Sequence, residues 1–173
     1  MLLPAAAQTS SSESLINQGM RATQSGDEVA AASFFTQAVV ADPGNMKARR
    51  LLALAELHEG RAASAFSIMQ TVMKYERSVD DLACLGDIYF ALGRQDFARW
   101  AYEEVLQSAP MNGQSIAGLV NVYIATQQYD KAKQLCQGVL SKSTDRNLNT
   151  VLTGKLSQIE SAEKVVAAGK LGA

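Results

Sequence analysis

The chain repeats itself at an interval of about 34 residues, and nothing else in it restricts the available folds so strongly. Ala31, Ala65, Ala98 and Ala132 are separated by 34, 33 and 34 residues. Apolar residues follow each alanine in the same places: Phe35 and Ala38, Met69 and Val72, Tyr102 and Val105, Cys136 and Val139. A second set runs in phase upstream, at Gly19, Ala53, Gly86 and Val120, and a third marks a break, at Gly26, Gly60, Gly93 and Gln127. Pro43 and Pro110 close the first and third copies. A pattern that returns at this interval describes an array of small units. Each is too small to bury its own apolar face, so neighbours must stack.

Each copy reads as two helices. In copy three, Leu82, Leu85, Gly86 and Tyr89 share one helix face at three-to-four spacing. Gly93 supplies a left-handed residue to end that helix. Phe97, Ala98, Ala101, Tyr102 and Val105 form the face of a second helix, which Ser108-Ala109-Pro110 stops, since proline has no N–H and restricts the residue before it. Copy four repeats the arrangement with Ile116, Leu119, Val120 and Tyr123, then Ala132, Cys136 and Val139. Start signals agree: Ser10 with Glu13 and Ser78 with Asp81 are capping-box pairs, and Asn45 and Asn112 are N-caps. Asp27, Asp96 and Asp130 stand near second-helix starts, where negative charge suits the helix dipole. No period-two alternation is long enough to argue a strand.

These residues resemble the tetratricopeptide repeat: a small residue, an aromatic, a turn glycine, an alanine, an aromatic, an alanine and a terminal proline over about 34 residues. Copy three matches best, through Leu82, Leu85, Gly86, Tyr89, Gly93, Ala98, Tyr102 and Pro110. Copy two departs with Glu56 at the aromatic place and Arg77 at the proline place, and copy four with Gln127, Cys136 and Thr144. The resemblance covers residues 12–143. It implies an all-α fold, a right-handed α-solenoid of four helix-turn-helix repeats with first helices lining the concave side. Residues 144–173 read as a half-repeat extended into a C-terminal capping helix. There Leu148, Val151, Leu152, Leu156, Ile159, Ala162 and Val166 recur at helical spacing up to Gly169. The alternative is a helix that binds a partner or a second copy. Residues 1–11 read as a flexible segment or the remnant of a secretory signal, because Leu-Leu-Pro-Ala-Ala-Ala-Gln has small residues before a cleavage-like site.

Composition narrows the function. Sixteen Lys and Arg face seventeen Asp and Glu, without the basic excess of a nucleic-acid binder. No apolar run approaches the roughly 18 residues of a membrane span. One histidine, His58, and two distant cysteines, Cys84 and Cys136, argue against most metal sites, a disulfide framework and histidine-based catalysis. The expectation is a non-enzymatic chain with no cofactor and no metal.

In the family it resembles, ligands bind the concave groove. The candidate positions are Ile16 and Met20 in copy one, Arg50, Leu51, Leu54 and Leu57 in copy two, Asp87 and Phe90 in copy three, and Asn121 and Ile124 in copy four. Ala83, Cys84, Ala117 and Gly118 would leave a shallow floor. An apolar stripe of this kind suits a partner peptide or helix. Of the places that hold a C-terminal carboxylate in one variant of the family, only Arg50 has a suitable residue. The expected role is a protein–protein interaction scaffold in assembly of a bacterial pilus, secretion or envelope complex. The alternatives are a self-assembling structural protein, hence a homo-oligomer, or a chaperone for an exported protein. The location would be cytoplasmic, or periplasmic or exported if residues 1–11 are a signal remnant.

Overall fold

The structure is a computed structural model in which residues 5–75 and 77–171 are described. The described residues form helices and turns, with no strand among them. The chain divides after Leu92 into two compact units, and the division falls between the two helices of the third copy.

The first unit contains α1 (Ala5–Gln24), α2 (Glu28–Ala41), α3 (Met46–His58), α4 (Ala62–Tyr75) and α5 (Val79–Ala91). The expected turn residues do what their chemistry suggests. Gly26 and Gly60 take φ of 79° and 77°, a region closed to most side chains. Asp27 accepts from the Ala30 N–H at 2.9 Å and Asn45 from the Ala48 N–H at 3.0 Å. Ser78 and Asp81 make the full capping box.

Ser10 and Glu13 do not stand at a helix start, because α1 starts at Ala5 and carries both residues in its interior. A helix also stands where an irregular segment was expected through residue 11; Ala5-Ala6-Ala7 is a run of the best helix former, with no breaker after it. Residues 1–4, the rest of that segment, lie outside the described residues. Within α1, buried Ser12 donates to the Ala38 carbonyl at 3.0 Å and accepts from Asn45 Nδ2 at 3.2 Å, which ties the helix to the end of α2 and the start of α3.

Packing in this unit turns on size. A Cβ placed on Gly19 would lie 2.4 Å from the Phe35 ring, so glycine lets α1 and α2 close over a buried aromatic. Deeper in, Ala53 and Ala65 leave space that Met69, Val72, Cys84 and Ile88 fill.

The second unit contains α6 (Gln95–Ser108), α7 (Gly113–Ala125), α8 (Tyr129–Leu140) and α9 (Arg146–Leu171). Its core joins Ile116, Val120, Ala132, Cys136 and Val139 to Leu148, Leu152 and Ile159 of α9. Phe97 differs from its expected place on the packed face: it is 57% exposed, while Ala98, Ala101, Tyr102 and Val105 turn inward. Those four span a narrow arc of the helix, and Phe97 lies beyond its edge.

Where three copies have a turn glycine, the fourth has Gln127, and it too adopts positive φ, 57°. A side chain in this conformation costs about 1 kcal/mol or more. Gln127→Gly should therefore raise the unfolding free energy by about 1 kcal/mol, read as a higher urea midpoint at unchanged slope.

The last helix starts at Asp145, which accepts from the N–H groups of Asn147 and Leu148. It runs through Gly169 to Leu171. Lys133 of α8 bonds Glu163 at 2.7 Å. The opposite side of α9 has a different chemistry. At the register where α7 has Ile116, Leu119, Val120 and Tyr123, α9 has Thr150, Thr153, Gly154 and Ser157. The three hydroxyls are exposed and donate to carbonyls one turn back, and nothing lies within 4 Å of a Cβ built on Gly154. A helix with one apolar and one hydroxylated face closes a stack.

Candidate functional site

The first-helix positions of the first unit separate into core, ion pairs and a partly exposed apolar set. Ile16 belongs to the core and not to a groove: it is 0% exposed and clusters with Ala38 and Ala48. This side of α1 packs on α2 and α3, which also buries Ser12 one turn earlier. Most of the expected shallow floor is closed as well: Ala83 and Cys84 are buried in α5, and in the second unit Gly118 is covered by the Tyr102 ring, while Ala117 is half-buried.

Leu51 is half-buried and packs on two core clusters. Leu54 and Leu57 are half-buried against the Met69 and Ile88 cluster. Met20 is 41% exposed, and Asp87 and Phe90 are half-buried. In the second unit, Asn121 and Ile124 are half-buried on α7, Ile124 against the Ile116 cluster.

Arg50 and Lys47, the cations of the first-unit face, are paired internally. Arg50 of α3 grips the carboxylate of Asp81 on α5 with two nitrogens, Nε to Oδ1 and Nη2 to Oδ2. Asp81 is 0% exposed and also accepts from the Ser78 hydroxyl and N–H. Burial pushes its carboxyl up, but the Arg50 and Ser78 hydrogen bonds and the guanidinium charge outweigh this and hold it below the usual carboxylate range. Lys47 lies 3.6 Å from Glu13 of α1, and His58 lies 3.4 Å from Glu28 of α2. The guanidinium that alone suited a carboxylate clamp is therefore engaged.

The Arg50–Asp81 pair was missed by sequence reasoning. Its signal is the repeat register: the equivalent positions one copy later are Ala83 and Ser115, a small pair in place of a charged one.

Neither cysteine is set up as a nucleophile. Burial, then the charges of Asp87 and Asp81, push the Cys84 thiol up to about 12, so it stays protonated at neutral pH. Burial likewise raises Cys136. Among the described residues no group of His, Cys, Asp and Glu could hold a metal ion, and no helix is long and apolar enough to cross a membrane.

Solved structures place this arrangement. The chain is similar to a thermophilic TPR protein of Thermus thermophilus, at 19% identity, a TM-score of 0.75, and coverage of 86% of this chain and 82% of that one. The chain has the tetratricopeptide-repeat fold. A second TPR-fold likeness is to PilF of Pseudomonas aeruginosa, at 17% identity and a TM-score of 0.70, covering 94% of this chain and 78% of that one. A third is to the second TPR domain of human RPAP3, solved with an HSP70 peptide, at 21% identity, a TM-score of 0.58, and coverage of 68% and 96%. No family model matches the sequence, and no curated protein matches it.

Proposed function

We propose that this chain is a non-enzymatic scaffold that binds a peptide or helix of a partner protein on its first-helix faces, in assembly of a bacterial pilus, secretion or envelope complex. The observation that carries the binding role is the chemistry left on the first-unit face. Its cations Arg50 and Lys47 are paired with Asp81 and Glu13, while Met20, Leu54, Leu57 and Phe90 keep apolar surface in contact with water and Asp87 adds a carboxylate. Such a surface gains mainly by covering apolar area. The TPR domain solved with a peptide supports the mode, and the likeness to PilF supports the setting. On α7, Asn121 and Ile124 offer a smaller surface of similar character.

The test is affinity capture from a lysate of the source organism, comparing the natural chain with Met20→Glu, Phe90→Glu. These positions suit charge better than Leu54 and Leu57, which pack on a core cluster. With circular dichroism and the unfolding midpoint unchanged, loss of a captured protein by more than about ten-fold is expected. Equal capture by both chains would remove the face from consideration.

A further inference from the structure

The solvent side of α6 departs from the chain's own repeat pattern. Copies one, two and four have Ala30 and Ser33, Ser64 and Ser67, and Lys131 and Gln134 at two outward registers of the second helix; copy three has Phe97 and Trp100. Phe97 is 57% exposed and Trp100 48%. Large aromatics where the other copies keep small or polar residues are not needed to fold the unit.

The surroundings of Trp100 have a sign. Residues three and four away on a helix are its surface neighbours. For Trp100 these are Phe97, Asp96, Glu103 and Glu104, one ring and three carboxylates, all exposed. Asp96 bonds Arg99 at 3.2 Å with its side chain 92% exposed, and Arg94 stands three residues before Phe97, so two guanidiniums against three carboxylates leave a small acidic excess around Trp100.

We propose that this face of α6 docks a basic, apolar segment of a partner protein: aliphatic side chains against Phe97 and Trp100, with Lys or Arg among Asp96, Glu103 and Glu104. Aromatic rings provide anchoring area and attract cations to their faces, and tryptophan and arginine are the residues enriched where interfaces concentrate their binding energy. The acidic rim speeds encounter with a cationic partner and makes binding salt-sensitive. The same rim repels anionic lipid and nucleic acid. This inference is independent of the first-helix face.

Trp100 is the sole tryptophan, so its emission reports this face alone. The probe is an amphipathic helical peptide of leucine and lysine, compared with its leucine–glutamate counterpart. The lysine peptide should shift the emission to the blue and protect Trp100 from acrylamide, with an affinity that falls as salt rises; the glutamate peptide should do neither. Phe97→Ser, Trp100→Ser, which installs residues that other copies carry, should keep the helical content and unfolding midpoint. It should weaken the labelled lysine peptide roughly ten-fold or more. Asp96→Lys, Glu104→Lys should weaken it similarly while keeping the aromatic pair. Equal response to both peptides would overturn the proposal, as would unfolding of the serine variant. So would burial of Trp100 by anionic vesicles but not by the lysine peptide, or by the chain's own dimerisation with rising concentration.

Discussion

Gly118→Ala should lower the unfolding free energy by about 2 kcal/mol, although alanine in place of glycine within a helix ordinarily adds about 1 kcal/mol. A Cβ at this position would lie 2.3 Å from Cζ of Tyr102 and under 3 Å from two further ring atoms. Tyr102 is 1% exposed and packed among buried residues of α6, so the ring has no space to retreat into. Relief requires α6 and α7 to separate, and separation gives up buried contacts along both helices. The matched control is Gly138→Ala on α8, where nothing lies within 4 Å of the added carbon. Propensity acts alone there, and the expected change is a gain of about 0.5–1 kcal/mol. Urea unfolding of the two variants should move the midpoint in opposite directions. A gain at both positions would show that Tyr102 yields and that the close approach of α6 and α7 is not a constraint.

Arg50→Leu should cost about 3 kcal/mol at neutral pH. The change leaves Asp81, 0% exposed, with only Ser78 as a hydrogen-bond partner. An unpaired charge in that position loses its water without compensation. The sign of the pH dependence follows from the direction of the shift. In the natural chain the Asp81 carboxyl titrates below its unfolded value of 3.8, so the pair's stabilisation is fully present above that pH and is lost as pH falls through the lower, folded value. In the variant the burial and the Ser78 hydrogen bonds remain but the lowering by the guanidinium is lost, so the carboxyl titrates higher than in the natural chain. Acidification therefore costs the folded variant less than it costs the natural chain. The deficit between the two chains should thus be largest near neutrality and shrink as pH falls through the acid range, as unfolding curves across that range would show. Arg50→Ala with Asp81→Ser, which copies the Ala83 and Ser115 of the next register, should recover most of the loss. A deficit independent of pH would mean that the cost lies in lost packing of the arginine stem.

Much of this architecture is legible in the residues because the causes are local and repeated. A glycine that must take positive φ, an asparagine that caps a helix and an alanine that lets two axes approach leave the same mark in every copy, and several copies average out the exceptions. Gln127 shows the strength of that averaging: the turn keeps its shape with a residue that disfavours it. The candidate binding face was read less well. Helical spacing says which residues share a side of α1, but not which of those sides α2 and α3 cover. Ile16 therefore counted as a groove residue until the packing buried it. Phe97 failed in the opposite direction, because an aromatic at the edge of an apolar stripe has the same spacing whether it is inside or out.

The sequence by itself determined that each repeat has two helices, where the turns between them fall and which side of α9 is apolar. Each of these depends on residues within one or two helical turns of one another. Only the tertiary structure decided that Arg50 faces Asp81 across 31 positions, that Tyr102 closes over Gly118, and that Trp100 is left in water beside three carboxylates. The reason is physical: those outcomes depend on the distance and rotation between helix axes, which are set by the sum of side-chain volumes between them and have no marker in any single stretch of chain.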